Sequence, residues 1–268
     1  MNVNTLIGLA VLPGFLLMLY FYKKDIHEPE PVEKVRKVLL WGALVSVLAV
    51  LLELPLQYAV QHTFAAGSLS LAFFNAFLVA ATVEELCKYL VVRKTIYDDP
   101  EFNEPYDGIV YCVAASLGFA IAENILYVLS GGIGVAILRA LLSVPAHALF
   151  GVFLGYFMGL SKFAEPSRRL RFHMVGLVIA IATHGLYDFV LFTGIPTVQL
   201  TVFPLMGLFW MVGLWKVKKL VAASPFIGTT PVQRQEAGAN GEQPQSPNVK
   251  APEREPATGL FIPREDTL

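Results

Sequence analysis

Seven apolar runs, at about 5–22, 38–60, 69–92, 107–129, 134–160, 173–193 and 197–215, leave this chain very few ways to fold. Each is close to the ~20 residues a helix needs to cross ~30 Å of hydrocarbon. Backbone polar groups in lipid must be satisfied within the segment, so runs of this length are helices. Only 15% of the 268 residues are charged and 55% are hydrophobic, whereas a soluble domain carries about 25% charged residues. The expected fold is therefore all-α: a polytopic membrane protein of about seven transmembrane helices, surrounded by a lipid bilayer. The first run lacks a basic leader and a clear small-residue cleavage site, so it reads as a retained span.

Lysine and arginine set the orientation. Segment 23–37 holds five, 93–105 two, 161–172 four and 216–219 three. Residues 1–4, 61–68, 130–133 and 194–196 hold none. The alternation places the N-terminus outside and the C-terminus in the cytoplasm. Residues 222–268 carry seven prolines and little apolar clustering, which predicts a disordered cytoplasmic tail after an integral membrane domain over 1–221. The core of that domain is expected over spans of about 69–193, with the first, second and seventh spans peripheral. A net charge of −1 offers no basic field for a nucleic acid, so no such partner is expected. Cys87 and Cys112 both lie within apolar runs, which argues against a disulfide framework.

With the loops set aside, the runs still hold Glu53, Glu84, Glu85, Lys88, Glu123, Arg139, His147, His184 and Asp188. A charge at the centre of a spanning helix costs ~2.5–3.5 kcal/mol even on lenient scales, so such residues face the bundle interior and usually work there. Glu53, near the outer end of its run in LLELPLQ, is read as leaning towards water. A membrane-edge position would also explain Lys88, but not the remaining acids and imidazoles, which four different runs bring to similar depths. Glu84 and Lys88 are four apart and share a helix face, while Glu85 points about 100° away from Glu84. His184 and Asp188 are also four apart, so the carboxylate can orient the ring. Arg139, two turns before His147, reads as a counter-ion, and Asn124, beside Glu123, as a polar link between helices.

Carboxylates in a low dielectric are workable general bases, and imidazoles can stabilise an oxyanion. That set of parts suits hydrolysis of an amide bond without a covalent intermediate. The sequence has no HExxH, no GxSG, no GxGD and no ExxH pair, which sets aside the zinc, serine, aspartyl and di-iron arrangements that those spacings would signal.

The set EELCK (84–88), FAIAE (119–123), His147 in PAHALFG and HGLYD (184–188), together with FYKKDIHEPEP at 21–31, resembles the PrsW family of membrane proteases. That family is related to the CAAX-prenyl-protease and abortive-infection group. The resemblance spans roughly residues 20–190. It implies a glutamate-dependent intramembrane endopeptidase in a bacterial inner membrane, acting on a membrane-anchored protein such as an anti-sigma factor. Carried over, Glu84 and Glu85 activate water and Glu123 is the second acidic position. His147 and His184 orient groups or bind the oxyanion, supported by Lys88, Asn124, Arg139 and Asp188. The related group has histidine at the position of Glu123, arginine one residue beyond Lys88, and asparagine at Asp188. The resemblance implies no cofactor and no metal, although three carboxylates and two imidazoles are a donor set zinc accepts. Two other readings of the same residues remain at this point: a proton- or cation-coupled transporter, and a scaffold recruiting partners through its tail.

Overall fold

Long apolar runs become long helices here because little interrupts them. In a computed structural model, residues 3–229 are described, and no strand occurs among them. The helices are α1 (Val3–Lys24), α2 (Val32–Thr63), α3 (Leu69–Phe74), α4 (Thr82–Thr95), α5 (Asp107–Leu138), α6 (Val144–Lys162), α7 (Pro166–Phe192), α8 (Pro196–Gln199) and α9 (Val202–Val221). A π-helical stretch, Asn75–Ala81, fuses α3 to α4, and another, Arg139–Ser143, fuses α5 to α6. Six continuous helices are long and apolar enough to cross a membrane. Leu44, Val47, Leu48, Leu51 and Leu52 of α2 face outward, the side-chain distribution of a helix in contact with lipid.

The expected count of about seven spans meets six continuous helices because 107–162 is unbroken by length. It nevertheless folds back on itself. Gly132 has φ 72° and ψ −159°, a backbone region that glycine enters without steric cost, and the chain reverses there. Asn124 of the first limb is hydrogen-bonded to Arg139 of the second, and Gly108 faces Gly155 and Gly159. These pairs are evenly disposed about the turn, so the limbs are antiparallel. A Cβ at Gly155 would sit 2.3 Å from the Gly108 carbonyl oxygen. Small residues thus let the two backbones touch, which is how helices gain packing in lipid.

α1 and α2, expected at the periphery, pack as closely as the limbs do. A Cβ at Gly42 would lie 2.2 Å from the Ala115 oxygen, and one at Gly118 would lie 1.9 Å from the Leu39 oxygen. Asn124 donates from Nδ2 to the Ala10 carbonyl of α1 at 2.7 Å. α5 is therefore the central helix, buried almost continuously from Asp107 to Ala120. After α9, Ser224 donates to Glu104 and Phe226 is buried. Of the expected tail over 222–268, residues 222–229 thus lie against the bundle and the rest lies outside the described residues.

Candidate functional site

The π-helical stretches sit directly before the two most charged parts of the bundle. In each, the residue after the stretch donates its N–H five positions back: Thr82 to Phe77 O and Val144 to Arg139 O. The Thr82 hydroxyl adds a 2.7 Å bond to the same Phe77 oxygen. Such bulges turn the residues that follow and are frequent at functional sites. One turns Glu84, Glu85 and Lys88 inward from α4; the other turns His147 inward from α6. Gly185 lets α7 press against the Phe77 ring, where a Cβ would be 2.3 Å from it.

Lys88 is the hub. Its side chain is 0% exposed, so the membrane-edge position considered from sequence does not apply. Nζ lies 2.9 Å from Glu84 Oε2, 2.7 Å from Glu85 Oε1 and 3.0 Å from His147 Nδ1. The Phe119 ring, 4.4 Å away, closes its remaining side. As a lysine ammonium only donates, His147 Nδ1 accepts and the ring proton sits on Nε2. That nitrogen is 3.2 Å from Glu123 Oε2, which also receives Arg139 Nη2 at 2.7 Å. Arg139 Nε donates to Asn124 Oδ1 at 2.8 Å. Arg139 thus contacts both Glu123 and Asn124 across the hairpin.

His184 is held from both edges, with Nδ1 2.9 Å from Glu85 Oε1 and Nε2 3.2 Å from Asp188 Oδ2. A doubly protonated ring satisfies both carboxylates. Phe150 stacks on it at 4.6 Å, fixing its plane. All nine residues singled out as catalytic or supporting therefore form one connected network across α4, α5, α6 and α7.

A cavity of about 300 Å³ opens onto one side of the network, with Glu84, Glu123, His147, His184 and Asp188 in its wall. Glu85 is 0% exposed and is not among the lining residues: it stands behind Glu84. Glu53, read as leaning towards water, lines this cavity instead, and its Oε1 is buried without a hydrogen-bond partner. The reason is the close seating of α2 on α5, which aims that face of α2 inward. Sequence reasoning also passed over Asn75, Ser143 and Tyr187, polar side chains in the same wall. Their only signal was their place among apolar neighbours.

One ligand atom each from Glu84, Glu85 and His184 lie within 4.8 Å of one another, and Glu85 Oε2 is buried without a partner. Two carboxylates and an imidazole are donors zinc accepts. Lys88 decides the fit. Its ammonium already occupies the space between the two carboxylates, and a dication a few ångströms from it would be strongly repelled in a water-poor interior. With Lys88 so placed, the residues do not fit a metal ion, and the ammonium is the site's cation.

A family model described as "PrsW family intramembrane metalloprotease" matches residues 30–216. The chain is 44% identical over 188 residues to "Protease PrsW" of Geobacillus kaustophilus, covering 70% of this chain and 80% of that protein. It is 36% identical over 214 residues to "Protease PrsW" of Bacillus subtilis, covering 80% and 94% respectively. The "Protease PrsW" of Oceanobacillus iheyensis is 35% identical over 215 residues, covering 80% and 95%. No solved structure matches.

Proposed function

The chain belongs to the PrsW family of intramembrane proteases, and from that premise we propose that it hydrolyses a peptide bond of a membrane-anchored protein with water activated by Glu84. The observation that carries this reading is the division of labour between adjacent glutamates: Glu84 faces the cavity while Glu85 is sealed behind it.

Glu84 takes a proton from a water in the cavity, and the hydroxide adds to the substrate carbonyl carbon. The oxyanion that forms faces the positive charge of the doubly protonated His184 ring in the cavity wall, while His147 orients the Lys88 and Glu123 side of that wall. A charge preplaced where the oxyanion develops acts with little reorganisation. Glu84 then passes its proton to the amide nitrogen as the C–N bond breaks, leaving a carboxylic acid and an amine. Glu85 holds Lys88 and His184 in place. Glu123, neutralised by Arg139, fixes the His147 tautomer. The family description names a metalloprotease; no step here runs through a metal, because Lys88 occupies the charge position an ion would need.

The resemblance to anti-sigma-factor proteases supports that substrate class among membrane-anchored proteins. The test compares new protein N-termini, by quantitative proteomics, between cells carrying the parent chain and cells carrying Glu84→Gln at matched levels. New termini near a membrane boundary that vanish in the variant support the reading and identify the substrate. Indistinguishable profiles under envelope stress overturn it.

A further inference from the structure

A second group of buried acids lies far from the cavity, in the sequence DIHEPEP that joins α1 to α2. Asp25 is 3% exposed, and Glu30 and Asp107 are 0% exposed. Asp107 stands in the first turn of α5, 16 residues before Glu123, or about 24 Å along the helix. Some of the oxygens are accounted for. Glu30 Oε2 accepts from the Tyr111 hydroxyl, and Asp107 Oδ2 accepts from the backbone N–H groups of Asn103 and Glu104, both at 2.7 Å. Four receive no N–H or hydroxyl hydrogen bond among the described residues: Asp25 Oδ1 and Oδ2, Glu30 Oε1 and Asp107 Oδ1 are buried, with Glu30 facing Asp107 and Asp25 facing Glu104 carboxyl to carboxyl.

One oxygen from each of the three residues lies within 4.8 Å of the others. Further carboxylates, Glu28, Glu101 and Glu104, add like charge around Asp25 and Glu30. The active-site acids have Lys88 and Arg139 among them; among the described residues no lysine or arginine hydrogen-bonds to these three.

We infer that Asp25, Glu30 and Asp107 form a binding site for a hard divalent cation, separate from the active site, that fastens the α1–α2 connection to the first turn of α5. An all-oxygen donor set suits Ca²⁺, Mg²⁺ or Mn²⁺ rather than copper or zinc. Calcium–oxygen distances of about 2.3–2.6 Å accommodate oxygens anywhere within that 4.8 Å limit, while Mg²⁺, at about 2.0–2.1 Å, accepts only those up to about 4.2 Å apart. The ion would supply the positive charge that these carboxyls, once ionised, do not receive from a hydrogen-bonded lysine or arginine among the described residues.

The test uses the full chain in detergent, stripped with EDTA and desalted, titrated calorimetrically with Ca²⁺, Mg²⁺ and Mn²⁺ separately. It is run on the parent chain and on Glu84→Gln/Glu85→Gln, which removes the active-site carboxylates. The expected result in both is one saturable site for at least one ion, with a raised thermal midpoint. Binding should weaken at least tenfold, and the midpoint shift vanish, in Asp25→Asn and in Glu30→Gln; each is first checked for parental helicity and a monodisperse elution profile. Absence of binding, or binding unchanged in both folded variants, overturns the site. So does a proton-sharing cluster, recognised by a stability that declines as pH rises above the ordinary carboxylate range and that added ion does not change.

Discussion

Glu84 and Glu85 are neighbours in the chain with different surroundings, and separating them is a task for single substitutions. Glu84→Gln keeps the shape of the cavity wall while removing the proposed base, so turnover should fall about 10²–10⁴-fold with the thermal midpoint nearly unchanged. Glu85→Gln should lower both, because it loosens Lys88 and His184 together. An assay of the identified substrate, paired with thermal unfolding, reads the two effects; equal midpoint losses would remove the distinction. Lys88→Met leaves two buried carboxylates without their cation and should destabilise by about 3–5 kcal/mol. If Lys88 is the site's cation, 1,10-phenanthroline should leave cleavage within about twofold of the untreated rate. Loss of activity restored by zinc would refute that assignment. The Glu84–Lys88 and His184–Asp188 pairs were legible because both span four residues within one helix. Glu53 was not, because its surroundings come from how α2 seats on α5.

Helices appear in the sequence as apolar length, but their contact surfaces are less visible. Gly151, Gly155 and Gly159 recur every fourth residue in α6, a small-residue stripe that could have been read from sequence and was not. It matters because the hairpin of α5 and α6 carries Glu123, Arg139 and His147 on opposing limbs. Gly155→Val should prevent that approach, given the 2.3 Å a Cβ would have to the Gly108 oxygen. The expected outcome is loss of folded protein in detergent, scored by fluorescence-detected size exclusion. Gly8→Val, with nothing within 4 Å, serves as the tolerated control. The π-helical stretches were beyond sequence reasoning. NAFLVAA has no residue that demands a five-residue backbone bond, and only packing against α7 selects it. Pro145 hinted at the other, because a proline near the start of α6 cannot supply the regular helical N–H.

Across the whole molecule, the connections sort to two ends as the basic residues do in sequence. Lys34, just after the first connection, meets Asp99 of the third at 2.5 Å; Lys162 reaches the Tyr97 carbonyl at 2.5 Å; and Ser224 meets Glu104. The connections near 25–31, 96–106, 163–165 and 222–229 thus share one end, which the positive-inside rule assigns to the cytoplasm. The cavity leads the other way. A second cavity of about 310 Å³ shares Gln57, Asn75 and Phe192 with it and reaches Gly67 and Ser68 in the connection that holds no basic residue. Water and the scissile segment should therefore enter from outside the cell. Gln57→Cys tests both orientation and entry, since the native thiols of Cys87 and Cys112 are buried. A membrane-impermeant maleimide added to intact cells should label the new thiol and block cleavage. The same reagent should leave the parent chain and Ser167→Cys, exposed at the basic end, unaffected. Labelling of Gln57→Cys only after permeabilisation would reverse the orientation, and labelling without inhibition would mean that substrate reaches Glu84 by another route.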